Sequence, residues 1–332
     1  MKILITGGAG FIGSQLGIYL MRKKHQVTFL DNLRFGYKEN LRSQTKLKPT
    51  FILMDVRDPQ LKKVCKGMDV IFHLAGISSL PECQNNPQEA YAVNVTGTAN
   101  VLEAARANNI KRVIFSSTSA VYENTTIFPT DEEQNIQPQL IYSLTKKHAE
   151  DLCQSYKLLY NMDIVILRFF NVYGPHMDFK RPNPPFISYI IHCFLHNKTP
   201  LLHSNGNQSR DMIYIDDVLR LLEIVLDKKS AKNRIFNVGS GTSVSVMRVY
   251  DEIASVMHKQ HIKPIFRNAL LLWEKYPNIF GDPYPLKATY LEREVNKYTL
   301  ASIKKAKKLL GWSPKIVLSQ GIRSTIEFAK NN

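Results

Sequence analysis

Short apolar runs alternate with amphipathic stretches through the first half of the chain. Lys2–Thr6, Gln26–Leu30, Thr50–Met54, Val70–Leu74 and Val113–Ser116 have the length and apolar density of buried strands. Between them, Gly13–Lys23, Pro59–Cys65 and Tyr91–Asn108 carry apolar residues at helical spacing. Strand–helix alternation at this interval predicts parallel βαβ units in an α/β sheet. A further helix over Ser143–Tyr160 leads into the strand Ile164–Phe169.

The pattern changes after about Gly174. Pro175, Pro182, Pro184 and Pro185 break the chain within one loop. A helix-like stretch (Ile187–His196), a polar turn (His203–Ser209), the run Met212–Ile215 and a helix over Val218–Leu226 follow. Phe266–Glu294 is rich in aromatics and proline and has no clear period. A basic amphipathic helix, Ser302–Leu310, is stopped by Gly311 and Pro314. With no internal repeat or low-complexity linker, the chain divides into a first domain over 1–174, rejoined by part of 212–240, and a smaller, irregular domain over 175–332.

Composition narrows the class. A chain of 332 residues can bury a core without staples, and 44% hydrophobic with 22% charged residues excludes a disordered or collagen-like protein. No apolar run approaches the roughly 20 residues of a membrane span. Met1-Lys2-Ile3 enters the first strand directly, and no signal peptide is expected ahead of it. Cys65, Cys83, Cys153 and Cys193 are far apart, so they suit a reducing cytoplasm and offer no metal motif. The net charge of +16 would suit an anionic partner. Its densest clusters, Arg22-Lys23-Lys24 and Lys304-Lys305 with Lys307-Lys308, read as solvated helix faces. No nucleic-acid signature accompanies them, and neither nucleic acid nor membrane is the expected partner.

Three places carry chemistry. Gly8-Ala9-Gly10-Phe11-Ile12-Gly13 fits G-x-G-x-x-G between a strand and a helix, and Gly7-x-x-Gly10-x-x-Gly13 fits equally well. Such a turn lets backbone approach a pyrophosphate that the helix N-terminus then holds. Asp31, ending the next strand, can accept from ribose hydroxyls and repel a 2′-phosphate, whereas Arg34 could pair with one. The pattern therefore predicts NAD, against the plainer reading of a tight turn with a capping Asp. Tyr142 and Lys146 stand at i and i+4 of a predicted helix, where an ammonium favours a phenolate and makes a general base. The same pair would also suit a helix surface. Thr118 follows the Val113–Ser116 run at the strand's exit, where ligands bind in open α/β sheets and where a hydroxyl also serves an ST-turn.

With these residues in order, the chain resembles the extended short-chain dehydrogenase/reductase family, in its nucleotide-sugar epimerase and dehydratase branch. The resemblance runs nearly end to end. It rests on Thr6–Gly13, Asp55-Val56, His73-Leu74-Ala75-Gly76, Asn94 in Asn94-Val95-Thr96-Gly97-Thr98, Thr118, Tyr142 with Lys146, and Arg168-Phe169-Phe170-Asn171-Val172-Tyr173-Gly174-Pro175. Ser209-Arg210-Asp211, Asn237-Val238-Gly239 and Leu309-Leu310-Gly311-Trp312 continue it. It implies a Rossmann-type doubly wound parallel sheet with a smaller C-terminal α/β substrate domain.

The implied NAD contacts begin with Gly7, Gly10, Phe11, Ile12 and Gly13 in the turn, and Asp31, Asn32, Arg34 and Gly36 after the second strand. Asp55, Val56, Leu74, Ala75, Gly76, Asn94, Ser116, Tyr142, Lys146 and Phe170 complete them. The implied nucleotide-sugar contacts are Ser78, Thr118, Tyr142, Asn171, Arg210 and Arg293, with Thr118, Tyr142 and Lys146 catalytic. Arg210 would clamp the pyrophosphate and Arg293 would be a second phosphate contact.

Departures from the family pattern sharpen the activity. Dehydratases of the branch carry Asp-Glu after the catalytic Thr, and decarboxylases keep the Glu. Here Ser119 and Ala120 stand there, without a carboxyl group for acid–base work. The expectation is an NAD-dependent epimerase acting at C4 of a UDP-sugar. A 4,6-dehydratase or decarboxylase would need Glu82 or Glu123 beside the sugar, and a non-catalytic NAD-binding scaffold is the reading from another class. The resemblance also implies a homodimer through the Tyr91–Asn108 and Ser143–Tyr160 helices.

Overall fold

The computed structural model describes residues 1–42, 48–181, 184–281 and 283–331. Pro182, assigned above to the breaking loop, lies outside them. The strands are β1 (Lys2–Thr6), β2 (Gln26–Asp31), β3 (Thr50–Leu53), β4 (Val70–His73), β5 (Arg112–Thr118) and β6 (Ile164–Phe169), followed by β7 (Asn171–Tyr173), β8 (Leu201–His203), β9 (Ser209–Tyr214), β10 (Ile235–Val238), β11 (Ser243–Ser245) and β12 (Ile265–Arg267).

Seven of these strands form one parallel sheet in the order β10-β6-β5-β4-β1-β2-β3. Helices cover both faces, so the central strands read as continuous apolar runs rather than alternating ones. Ile3 and Ile5 of β1 pack with Phe29, Phe72 and Ile114 on one face, and Leu4 packs with Leu30, Ile71, Val113 and Phe115 on the other. The strand order reverses between β1 and β4, which opens a crevice at their carboxyl ends, the place where such sheets bind ligands.

The second half builds two small sheets, β11-β9-β7 and β12-β8. It also returns β10 to the edge of the large sheet, with Asn237 opposite Arg168. The described part of the aromatic segment that lacks a sequence period is built from short elements. It forms β12, two 3₁₀ turns and the helix Ala288–Asn296, around an apolar cluster of Trp273, Ile279 and Leu291 with Leu140. The expected Tyr91–Asn108 helix is a five-residue π segment, Ala92–Thr96, continued by Gly97–Ala107. The Ser143–Tyr160 helix starts earlier, at Ile141.

Candidate active site

A cleft of about 550 Å³ opens at the carboxyl ends of β1, β2, β4, β5 and β6. Its floor is the glycine turn. Gly7 has φ +70°, and a Cβ on it would lie 2.7 Å from the Ala75 nitrogen. A Cβ on Gly13 would stand 2.2 Å from the Gly7 carbonyl oxygen, so the helix Phe11–Arg22 can start this close to β1 only without a side chain there. The turn and the open helix N-terminus together fit a dinucleotide pyrophosphate.

Asp31 closes the next strand, 8% exposed. Its carboxylate accepts from Ala9 N at 3.0 Å and Leu33 N at 2.8 Å. Burial raises its pKa, and the backbone donors oppose that rise. Arg34 is committed to Glu89 at 2.5 Å and Glu82 at 3.1 Å, so it is not poised for a 2′-phosphate. Asp55 accepts from Asn32 at 2.8 Å, and the Arg57 guanidinium holds its pKa down to about 2. These residues fit the adenosine end of NAD.

Tyr142 lies in the first turn of the helix Ile141–Tyr160, with Lys146 one turn later. Thr118, at the end of β5, lines the same cleft as the Tyr142 phenol and opposes the rise of its pKa. Lys146 Nζ sits 4.3 Å from the centre of the Phe115 ring. Burial decides both groups: it pushes the phenol up to about 12 and the ammonium down to about 8. Both groups lose solvation together.

Bonds to the sheet fix the helix. Glu150 pairs with Arg168 of β6 through bonds of 2.9 and 2.7 Å, and it accepts from the Ser117 hydroxyl of β5. Behind β4, buried His73 bridges Thr6 at 2.8 Å and Thr98 at 3.0 Å. The Thr98 hydroxyl donates to the Asn94 carbonyl, which assigns the His73 proton to Nε2.

Most of the expected residues line the one cleft: Gly7, Gly10, Phe11, Ile12 and Gly13 in the turn, Asp31, Asn32, Arg34 and Gly36, Asp55 and Val56, and Leu74, Ala75, Gly76 and Ser78, with Ser116, Thr118, Tyr142, Lys146, Phe170 and Asn171 opposite. Three are placed elsewhere. Asn94 is a buried joint: its carbonyl oxygen accepts from Ile77 N at 2.8 Å, and its amide donates to Thr145 at 3.1 Å. Arg210 donates to the carbonyls of Glu294, Val295 and Lys297. Arg293 donates to Glu123 and Gln139, each at 3.0 Å. In both arginines the guanidinium is taken by nearer acceptors. The loop after Gly174 contributes Met177, Asp178 and Arg181 to the cleft, and the sequence reading assigned them nothing. The proline cluster was the available signal.

Glu82 and Glu123, the carboxylates a dehydratase would need, are held by Arg34 and by Arg293. Asp178 is a carboxylate of the cleft, and it accepts from the Lys180 and Arg181 amides at 2.9 and 3.1 Å.

Residues 3–239 match the model of the NAD dependent epimerase/dehydratase family. The putative UDP-glucose 4-epimerase of Methanocaldococcus jannaschii is 35% identical over 333 residues, 99% of either chain. Among solved structures, the UDP-glucose 4-epimerase of Thermotoga maritima with UDP-glucose superimposes with a TM-score of 0.87 at 27% identity, covering 100% of this chain and 99% of that one. The UDP-glucuronic acid 4-epimerase of Bacillus cereus, with UDP-glucuronic acid and NAD, gives 0.84 at 28% identity over the same shares.

Proposed function

The chain belongs to the NAD dependent epimerase/dehydratase family, and from that premise we propose that it is an NAD-dependent nucleotide-sugar epimerase inverting C4 of a UDP-sugar. The observation that carries this reading is Thr118, Tyr142 and Lys146 lining one cleft, where the two residues after Thr118 are Ser119 and Ala120 rather than acids.

In this reading, Tyr142 as phenolate accepts the 4-hydroxyl proton while the C4 hydrogen departs as hydride. The same phenol returns the proton to the sugar oxygen when C4 regains its hydride on the other face. Thr118 donates to the oxygen that carries the developing charge, and Lys146 favours the phenolate. NAD when bound supplies the hydride acceptor and a cationic ring that lowers the phenol pKa. The turn Gly7–Gly13, Asp31 and Asp55 would hold its adenosine and pyrophosphate. Asn171 and Ser78 are assigned to the sugar nucleotide.

Further parts of the proposal concern the whole protein. Residues 1–174 with part of 212–240 form the NAD domain, and 175–332 mainly the substrate domain. The helices Gly97–Ala107 and Ile141–Tyr160 pair two copies into a homodimer, a reading supported by the exposed Leu158 and Leu159. Cytoplasmic residence is supported by four free, buried thiols. No described helix is long and apolar enough to cross a membrane.

Proton NMR of the protein with UDP-, GDP-, CDP- and dTDP-sugars, without added hydride donor, tests the function. Inversion at C4 of a UDP-sugar is expected, and Tyr142→Phe should lower turnover at least 100-fold with NAD retained. A 4-keto-6-deoxy product or released CO₂ would instead make Asp178 the acid–base group of a dehydratase or decarboxylase. NAD binding with no turnover across the panel would favour the scaffold.

A further inference from the structure

Two short stretches set the relative position of Thr118 and Tyr142. The first is the 3₁₀ turn Ser119–Tyr122 after β5, which ends at Glu123. The second is the approach to the helix Ile141–Tyr160, whose N-cap, Leu140, has no side-chain oxygen to fix the helix entry. Gln84 Oε1 accepts the Ile141 N–H at 3.3 Å, and Glu123 holds the two residues before it from the first stretch. Its Oε2 accepts the N–H groups of Gln139 and Leu140, both at 3.0 Å. Its Oε1 accepts from the Arg293 guanidinium at 3.0 Å, and Arg293 also donates to Gln139 Oε1 at 3.0 Å.

The carboxylate is sheltered, although the Arg293 side chain that holds it is 40% exposed. Glu123 is 8% exposed, and Leu140 beside it is clamped among Trp273, Ile279 and Leu291. Buried charge-assisted bonds are stronger and shorter than neutral ones at the surface. One carboxylate thus ties the chain leaving Thr118 to the chain entering Tyr142. The Ala288–Asn296 helix supplies the cation that holds it.

We propose that Glu123 is a positioning residue that fixes the Tyr142 phenol against Thr118, with Arg293 as its anchor. This rests on the reaction proposed above. Hydride and proton transfer from one carbon need both groups aligned, and a displacement of about 1 Å can lower a rate by about 100-fold. Glu123 itself does not line the cleft, so its loss should act on kcat and leave ground-state binding alone.

The test is steady-state epimerisation by Glu123→Gln, with kcat expressed per protein-bound NAD so that unfolded protein does not count. The glutamine keeps one acceptor for the backbone but turns an amide toward Arg293. The expected result is a fall in kcat of about tenfold or more, with KM within about twofold of wild type. Arg293→Gln is a milder variant at an exposed position and should lose about threefold by the same measure. It carries the test if Glu123→Gln does not fold. Wild-type kcat per bound NAD in the folded variants, whatever their melting temperature, would reduce Glu123 to a brace of the fold and overturn the proposal. A rise in KM at unchanged kcat would overturn it too. Wild-type protein inactive on every UDP-sugar would overturn the functional reading and this inference with it.

Discussion

Replacing Lys146 by methionine should stabilise the cofactor-stripped protein while removing its activity. The ammonium is buried, and burial takes its pKa from an ordinary 10.5 down to about 8. In that case the unfolded chain binds a proton between those values that the folded chain has released. Folding stability therefore rises with pH from about 8 to 10.5, and below about 8 the full burial penalty applies. At about 1.4 kcal/mol for each factor of ten in proton affinity, the penalty is about 3 kcal/mol. Methionine fills a similar volume without the charge, but it gives up the ammonium contact with the Phe115 ring, which is worth about 0.5–2 kcal/mol. A net gain of about 1–2 kcal/mol at pH 7 follows. Urea unfolding of the stripped proteins across pH 7 to about 11 measures it. The gain should shrink through the window in which the wild-type lysine loses its proton. A Lys146→Met protein less stable than wild type at pH 7, or a gain independent of pH, would refute the claim that desolvation governs this site.

The other predictions concern the cofactor cradle and the helix anchor. Asp31→Ala should weaken NAD about tenfold by calorimetry, because a buried acceptor of two N–H groups, the proposed partner of the NAD ribose, is lost. It should not confer NADP binding, since Arg34 stays paired; adding Glu82→Gln and Glu89→Gln should confer it. Gly13→Ala should purify without NAD, as its Cβ would meet the Gly7 carbonyl at 2.2 Å. Glu150→Gln leaves the Arg168 guanidinium buried without its counter-charge and should destabilise by about 3–5 kcal/mol in a denaturant titration.

The strands were legible because a parallel sheet buried on both faces demands continuous apolar runs, and β1, β2, β4 and β6 have them. The glycine turn and Asp31 were legible because backbone crowding leaves glycine no substitute. The fates of Arg210 and Arg293 were not. A long guanidinium goes to the acceptors within its reach, and the carbonyls of Glu294, Val295 and Lys297 come close only through the fold. Tyr142 and Lys146 could be placed on one face from spacing, but the depth that sets their pKa values has no one-dimensional signature. The Phe266–Glu294 segment lacks a period because short turns wrap Trp273. By contrast, the helix Val246–Val256 was readable and overlooked: Val246, Val249, Tyr250 and Ile253 are buried at ordinary helical spacing.

The place of β10 has a consequence for the birth of the protein. As the chain leaves the ribosome, β1 to β6 are available long before Ile235–Val238 arrives to pair with Ile166–Phe169. Through that interval β6 presents an open row of backbone donors and acceptors on an apolar strand, a template for pairing with another nascent chain. Arg112, whose guanidinium reaches the Val225 carbonyl at 2.7 Å in the finished molecule, waits without that partner over the same interval. A fragment ending at residue 174 should therefore aggregate rather than bind NAD. Adding the segment through β10 gives the sheet its missing edge.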